Sequence, residues 1–189
     1  MPKDIFSYRK ATILQKSDKS YKGSWDLKIL DLCKKINKTS NYYTTSSCSG
    51  RAMLMIDAGE KGEGLFLKVW HVVPNFEELK KMVSILVSQK FQDVKFKTEP
   101  PILHVVCQSL EDAQNFIDKS KIAGWKNASI IYFGKRIVVE LTGTGKLEFP
   151  VIHDKLLLIS DKFWKVVVKE TREKMLKSWE IIDRLEKEF

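Results

Sequence analysis

The residues with most chemistry to offer are Tyr42-Tyr43-Thr44-Thr45-Ser46-Ser47-Cys48-Ser49-Gly50-Arg51, where six small hydroxyl or thiol side chains precede a glycine and a cation. A turn of this composition can aim backbone N–H groups and hydroxyls at one anion, while Arg51 offers a charged fork for phosphate or carboxylate. The competing structural reading is a Ser/Thr-rich turn whose hydroxyls bond their own backbone. Upstream, in Asp18-Lys19-Ser20-Tyr21-Lys22-Gly23-Ser24-Trp25-Asp26, Ser24 suits a helix N-cap and Asp26 the positive end of a helix dipole. Lys19 and Lys22 are available to steer phosphates.

Three histidines can be weighed singly. His71 ends a strand beside Trp70, and neighbours on a strand face opposite ways. His104 and Cys107 lie three apart on a strand, which also points them to opposite faces, so no metal site is expected. His153, after a proline-ended strand, reads as a surface residue. Other catalytic templates are missing: there is no Walker loop, no Gly-x-Gly-x-x-Gly after a first strand and no Gly-x-Ser-x-Gly elbow. Thr142-Gly143-Thr144-Gly145-Lys146 reads as a hairpin loop.

These residues sit in a chain of 189 residues with a net charge of +9, and cations in excess attract polyanions and release their counterions. Hydrophobic residues make up 43% and charged residues 30%, an ordinary globular balance that excludes a disordered chain. The longest aliphatic run, Leu156 to Ile159, is too short for a membrane span, and Met1-Pro2-Lys3-Asp4 lacks the apolar stretch of a secretion signal. Three scattered cysteines fit a reducing compartment, so a cytoplasmic protein is expected.

The elements that must position the chemistry follow from periodicity. Helices are expected at about 3–16, at 25–38 with Leu27, Ile29, Leu30, Leu32, Cys33 and Ile36 inward, from Pro74 or Asn75 to Gln89, from Ser109 to Gly124 and from Ser160-Asp161 onward. Strands are expected at 42–45, 52–56, 65–72, 94–98, 102–107, 128–133, 136–141 and 147–152. No Pro/Gly/Ser linker divides the chain. The expected fold is a single α+β domain: a mixed or mostly antiparallel sheet with flanking helices, with a loose duplication of strand-strand-helix and without a Rossmann methyltransferase layout.

Taken together, several segments resemble the tRNA wybutosine-synthesizing protein 3 family. They are Asp18-Lys19-Ser20 with Lys22-Gly23 and Asp26, Thr45 to Arg51, His71, Lys95-Phe96-Lys97-Thr98-Glu99-Pro100 with Ile102-Leu103-His104-Val105, Ala123 to Ala128, and Leu147-Glu148-Phe149-Pro150. Their order and spacing match over nearly the whole chain. Two places depart from the pattern: Phe66 stands where the family has Trp, and Leu141 to Lys146 holds no arginine of the family's Arg-Ser-Thr run.

The resemblance implies S-adenosyl-L-methionine-dependent methylation of ring nitrogen N4 of the wybutosine precursor at position 37 of tRNA-Phe, with neither DNA nor membrane as partner. On that reading Asp26, Ser46 and His71 are candidate catalytic groups. Lys22, Ser47, Ser49, Arg51, Phe66, Trp70, Glu99, His104 and Asn127 are candidate cofactor or substrate contacts, with Trp70 or Phe66 stacking on the tricyclic base. Two other readings stay open: a non-catalytic tRNA-binding module that assists another modification enzyme, and a small-molecule phosphate-binding enzyme.

Overall fold

Alternating burial along the strands builds two antiparallel sheets, each backed by helices, in a computed structural model that describes residues 5–15, 26–58 and 64–189. The chain divides into two units. The first comprises the segments up to Ser49, Pro101–Thr144 and Trp179–Phe189; the second comprises Gly50–Pro100 and Gly145–Ser178.

In the first unit the sheet runs β1 (Tyr42–Cys48), β5 (Ile102–Cys107), β7 (Ile137–Thr142), β6 (Asn127–Phe133). Alternation sends Leu103, Val105, Cys107, Val139 and Leu141 to one face, into a core with α2 (Leu27–Lys38), α4 (Leu110–Ile122) and the end of α5 (Asp161–Glu186). Helix α2 buries Ile29, Leu32, Cys33 and Ile36, one stripe at helical spacing. Its N-cap is Asp26, whose carboxylate accepts the Lys28 N–H; Ser24 lies outside the described residues. Helix α4 opens on a capping box of Ser109 and Asp112. It closes at Ala123, followed by Gly124 at φ +102°, where a Cβ would stand 3.2 Å from Ile181. The sheet's other face begins with Tyr43, Val106 and Val138 under Phe6 and Ile13 of α1 (Ile5–Leu14).

In the second unit the order is β3 (Phe66–Trp70), β2 (Arg51–Ile56), β4 (Val94–Glu99), β8 (Leu147–His153), β9 (Leu156–Leu157). Ala52, Leu54, Val94, Phe96 and Trp70 pack on one face with Leu79, Val83 and Leu86 of α3 (Phe76–Ser88) and Trp164 and Val167 of α5. Asn75 caps α3 through the Glu78 N–H.

Several expectations change. The expected α+β class with antiparallel pairing holds in every described pair, but the strands form two sheets, not one. Each sheet takes strands from both halves of the sequence, so the echo of strand-strand-helix does not divide the fold. Thr142 to Lys146 is no hairpin loop, because β7 pairs with β5 and β6 whereas β8 pairs with β4 and β9. β8, expected at 147–152, runs to His153; Pro150 inside it is tolerated beside a register shift between Val94 and Lys95.

Candidate active site

The hydroxyl-rich segment is mostly strand. β1 continues to Cys48 and β2 starts at Arg51, leaving only Ser49 and Gly50, with Gly50 at φ +97°, as the bend. Its side chains therefore do not converge on one point but alternate. Thr44 is engaged by Asn37, whose Oδ1 accepts the Thr44 N–H at 2.8 Å and whose Nδ2 reaches Thr44 Oγ1 at 3.0 Å. Burial pushes the titration of the Cys33 thiol up to about 11, with the Ser47 hydroxyl pulling it back a little. Ser49 is fully buried; its N–H donates to Asp26 Oδ2 at 2.8 Å, and its hydroxyl has no partner among the described residues. Asp26 thus joins the start of α2 to the bend, using one oxygen on each.

A polar surface forms instead on the α1 face of the first sheet, beyond Tyr43, Val106 and Val138. Its next row across the four strands is Ser46, His104, Glu140 and Ser129, followed by Cys48, Ile102, Thr142 and Asn127. Two irregularities create the first row. Counted from the Tyr43–Val106 pair, an unbroken β1 would set Thr45 opposite His104, but the shift between Thr44 and Ser46 sets Ser46 there. The shift between Ile130 and Tyr132 likewise sets Ser129 opposite Glu140. Bulges re-aim single side chains in this way, and they concentrate next to active sites. His104 Nε2 lies 2.7 Å from Glu140 Oε2, with both side chains about three-quarters buried or slightly less. Cys107 points into the core, as alternation requires.

The second unit holds a ladder of charges on the face of its sheet opposite the core. Nε and Nη2 of Arg51 both donate to Glu99 Oε2, at 2.8 and 2.7 Å. Lys97 reaches Glu99 at 3.2 Å, and Lys95 bridges Glu148 and Asp57 at 2.9 Å each. Burial alone would raise the Glu99 carboxyl, but Arg51 and Lys97 outweigh it and hold the group below the usual carboxylate range. The Arg51 guanidinium lies over the half-exposed ring of Phe66, 5.3 Å from its centroid.

Placed in these units, Asp26, Ser46, Ser47, Ser49, His104 and Asn127 belong to the first, and Arg51, Phe66, Trp70, His71 and Glu99 to the second. Trp70 needs correction as a stacking residue. It is 4% exposed, packs in the second core and donates its Nε1–H to Glu78 at 2.6 Å, so no ring face is left for a base. His71 is half-buried just past the end of β3. Lys22 lies outside the described residues. Sequence reasoning missed Glu140 and Ser129; the available signal was a lone acid inside the aliphatic strand Ile137-Val138-Val139-Glu140-Leu141.

No helix among the described residues is long and apolar enough to cross a membrane. The pattern of the family described as methyltransferase TYW3 matches residues 8–189. A Thermococcus sibiricus protein named tRNA(Phe) 7-((3-amino-3-carboxypropyl)-4-demethylwyosine(37)-N(4))-methyltransferase is 32% identical, the match covering 97% of this chain and all of that one. A Methanocaldococcus jannaschii protein of the same name is 29% identical over 93% of this chain and 92% of its own. The human tRNA wybutosine-synthesizing protein 3 homolog is 31% identical over 93% of this chain and 68% of its own. Among solved structures, the PH1069 protein from Pyrococcus horikoshii superposes with a TM-score of 0.85 at 28% identity, covering 96% of this chain and 92% of that one. With the match running from residue 8 to the last residue, this chain belongs to the TYW3 methyltransferase family.

Proposed function

We propose that this chain methylates N4 of 7-(3-amino-3-carboxypropyl)-4-demethylwyosine at position 37 of tRNA-Phe, the reaction in the names of its Thermococcus and Methanocaldococcus relatives, using S-adenosyl-L-methionine. The observation that carries the reading from the geometry is the His104–Glu140 pair, flanked by Ser46 and Ser129 on one sheet face. When bound, the donor supplies an electrophilic methyl group. The nitrogen gains a methyl and loses a proton, and the protein must hold the two partners in line and take that proton.

His104 is the base in this proposal. Glu140 accepts the Nε2–H, which fixes the tautomer and leaves Nδ1 as the proton acceptor, the orientation a carboxylate gives a catalytic imidazole. Ser46 and Ser129 offer hydroxyls to the polar edge of the base or to its amino-carboxypropyl tail. The buried Ser49 hydroxyl is an unsatisfied donor of the kind a carboxylate completes, and a buried polar group without a partner costs stability until it finds one. Asp26 is a positioning residue, because its second oxygen fixes the Ser49 amide. In the second unit Arg51 keeps Nη1 outside its pairing with Glu99, available to an anion, and Phe66 presents an exposed ring.

The test is methyl transfer to tRNA-Phe isolated from cells that lack this protein, followed by mass analysis of the position-37 nucleoside. Gain of one methyl group in the presence of protein and S-adenosyl-L-methionine, strongly slowed by His104→Ala, is the expected result. An unchanged nucleoside would refute the reaction.

A further inference from the structure

A second surface of the first unit carries the marks of an RNA contact. Helix α1 and the turn between β6 and β7 enclose a groove of about 310 Å³ floored by the buried Tyr43. Arg9, Lys135 and Arg136 line it, and none of the described residues lining it is acidic. Arg9 donates to the Lys135 carbonyl, which ties α1 to the turn. Arg136 lies over the ring of Tyr132, 5.8 Å from its centroid. Both guanidiniums act on the Tyr43 phenol, which burial raises and their charge pulls back.

Beside the cations stands an unusual strand. β6 is the edge of its sheet, and Ile130, Ile131, Tyr132 and Phe133 are 39%, 49%, 47% and 67% exposed. Apolar rings on a sheet edge cost stability and invite aggregation unless something covers them. Exposed rings next to guanidiniums and without neighbouring acids are the composition that holds unpaired nucleotides, bases on the rings and phosphates on the cations.

We propose that this groove binds an unpaired segment of the substrate RNA, stacking a base on Phe133 and holding its phosphates with Arg9, Lys135 and Arg136. The inference rests on tRNA being the substrate and adds a second point of grip, separate from the His104–Glu140 pair. It would give the enzyme affinity for the whole tRNA beyond what the target base supplies.

Binding of a fluorescent tRNA-Phe transcript across a salt series tests it, with Phe133→Ala, Arg136→Glu and Lys135→Ala compared with the unaltered chain. All three positions are exposed, and unfolding midpoints monitor the fold. Phe133→Ala should weaken binding about tenfold. Lys135→Ala should lower the slope of log K against log salt by about 0.7 to 0.9, the loss of one phosphate contact. Calorimetric binding of S-adenosyl-L-methionine should not change in any of them. Variants that bind tRNA like the unaltered protein would overturn the groove and leave the methylation reading intact. A dimer in solution that Phe133→Ala turns into monomers would also overturn it, since a second copy would then cover the strand. An unaltered chain with no tRNA affinity at low salt would instead remove the substrate assignment itself.

Discussion

His104 on β5 and Glu140 on β7 face one another as a cross-strand pair, with Nε2 2.7 Å from Oε2, in a row otherwise made of serines. Cross-strand polar pairs exist for packing alone and are worth roughly 0.2–1 kcal/mol. A catalytic imidazole differs from such a pair in its kinetics. His104→Ala should lower kcat by roughly 10²- to 10⁴-fold, the range of general acid–base catalysis, while changing the tRNA dissociation constant little. Glu140→Gln keeps a hydrogen bond but not the charge, so kcat should fall less and the pH–rate profile should move. Should both variants turn over at the original rate, the pair is only a sheet contact.

On the proposed reading Asp26 acts by placement, and two substitutions separate that from chemistry. Its carboxylate caps α2 and holds the Ser49 amide. Asp26→Asn keeps a capping oxygen and should retain most stability, whereas Asp26→Ala should cost about 0.5–2 kcal/mol from the cap alone. If Ser49 binds a carboxylate, Asp26→Ala should raise the KM for donor or tRNA more than it lowers kcat. A pure kcat effect with unchanged KM would place Asp26 in the chemical step instead.

Much of this arrangement was legible in the residues, because it rests on local rules. The Ser109–Asp112 capping box, the α2 stripe from Ile29 to Ile36 and the opposite facing of His104 and Cys107 all follow from spacing within one element. What spacing within one element does not carry is which strands pair. β1 and β2 are consecutive yet lie in different sheets, as do β7 and β8, so the glycine loop between the latter pair read as a hairpin. The bulge at Thr45 is equally silent: a strand of uniform hydroxyls has no hydrophobic alternation to reveal a slip in register. Ser46 was therefore singled out for its place in a turn and not for its position opposite His104. Glu140 was passed over because its partner lies on another strand.

Arg51 and Glu99 make a prediction with a definite sign. The Glu99 carboxyl is held below its ordinary range in the folded chain, so the unfolded chain binds the proton first as pH falls. The stabilisation from the pair is complete above the ordinary carboxylate range and is lost as pH drops through the depressed value. Glu99→Gln should therefore show a shallower loss of stability between about pH 5 and pH 2, measured as urea midpoints across that interval. Equal acid sensitivity in the two proteins would show that the pair adds nothing net. The same substitution frees the Arg51 fork, and Arg51→Lys, which lacks it, should not replace Arg51 in anion binding.

At the alkaline end the buried core of the first unit is the weak point. Burial pushes the Cys33 thiol up to about 11, with a further push from Asp26, and the Cys107 thiol up to about 12, again helped by a carboxylate, that of Asp112. Tyr42, whose hydroxyl donates to the Asp112 carbonyl at 3.0 Å, is raised by burial to about 12. Each group keeps its proton in the folded chain after the unfolded chain has released it. Raised values mean that the stability is whole below the ordinary thiol range and drains away as pH climbs above it, by about 1.4 kcal/mol per pH unit for each thiol. Unfolding midpoints should accordingly fall steeply from about pH 9 upward. Cys33→Ala removes one of the titrating groups and leaves a small cavity. Its midpoint at neutral pH should be lower than the original, while its decline between about pH 9 and pH 11 should be shallower by one proton. A parallel decline in both proteins would mean that the Cys33 thiol ionises as readily inside the fold as outside it, and that water reaches the contact between α2 and β1.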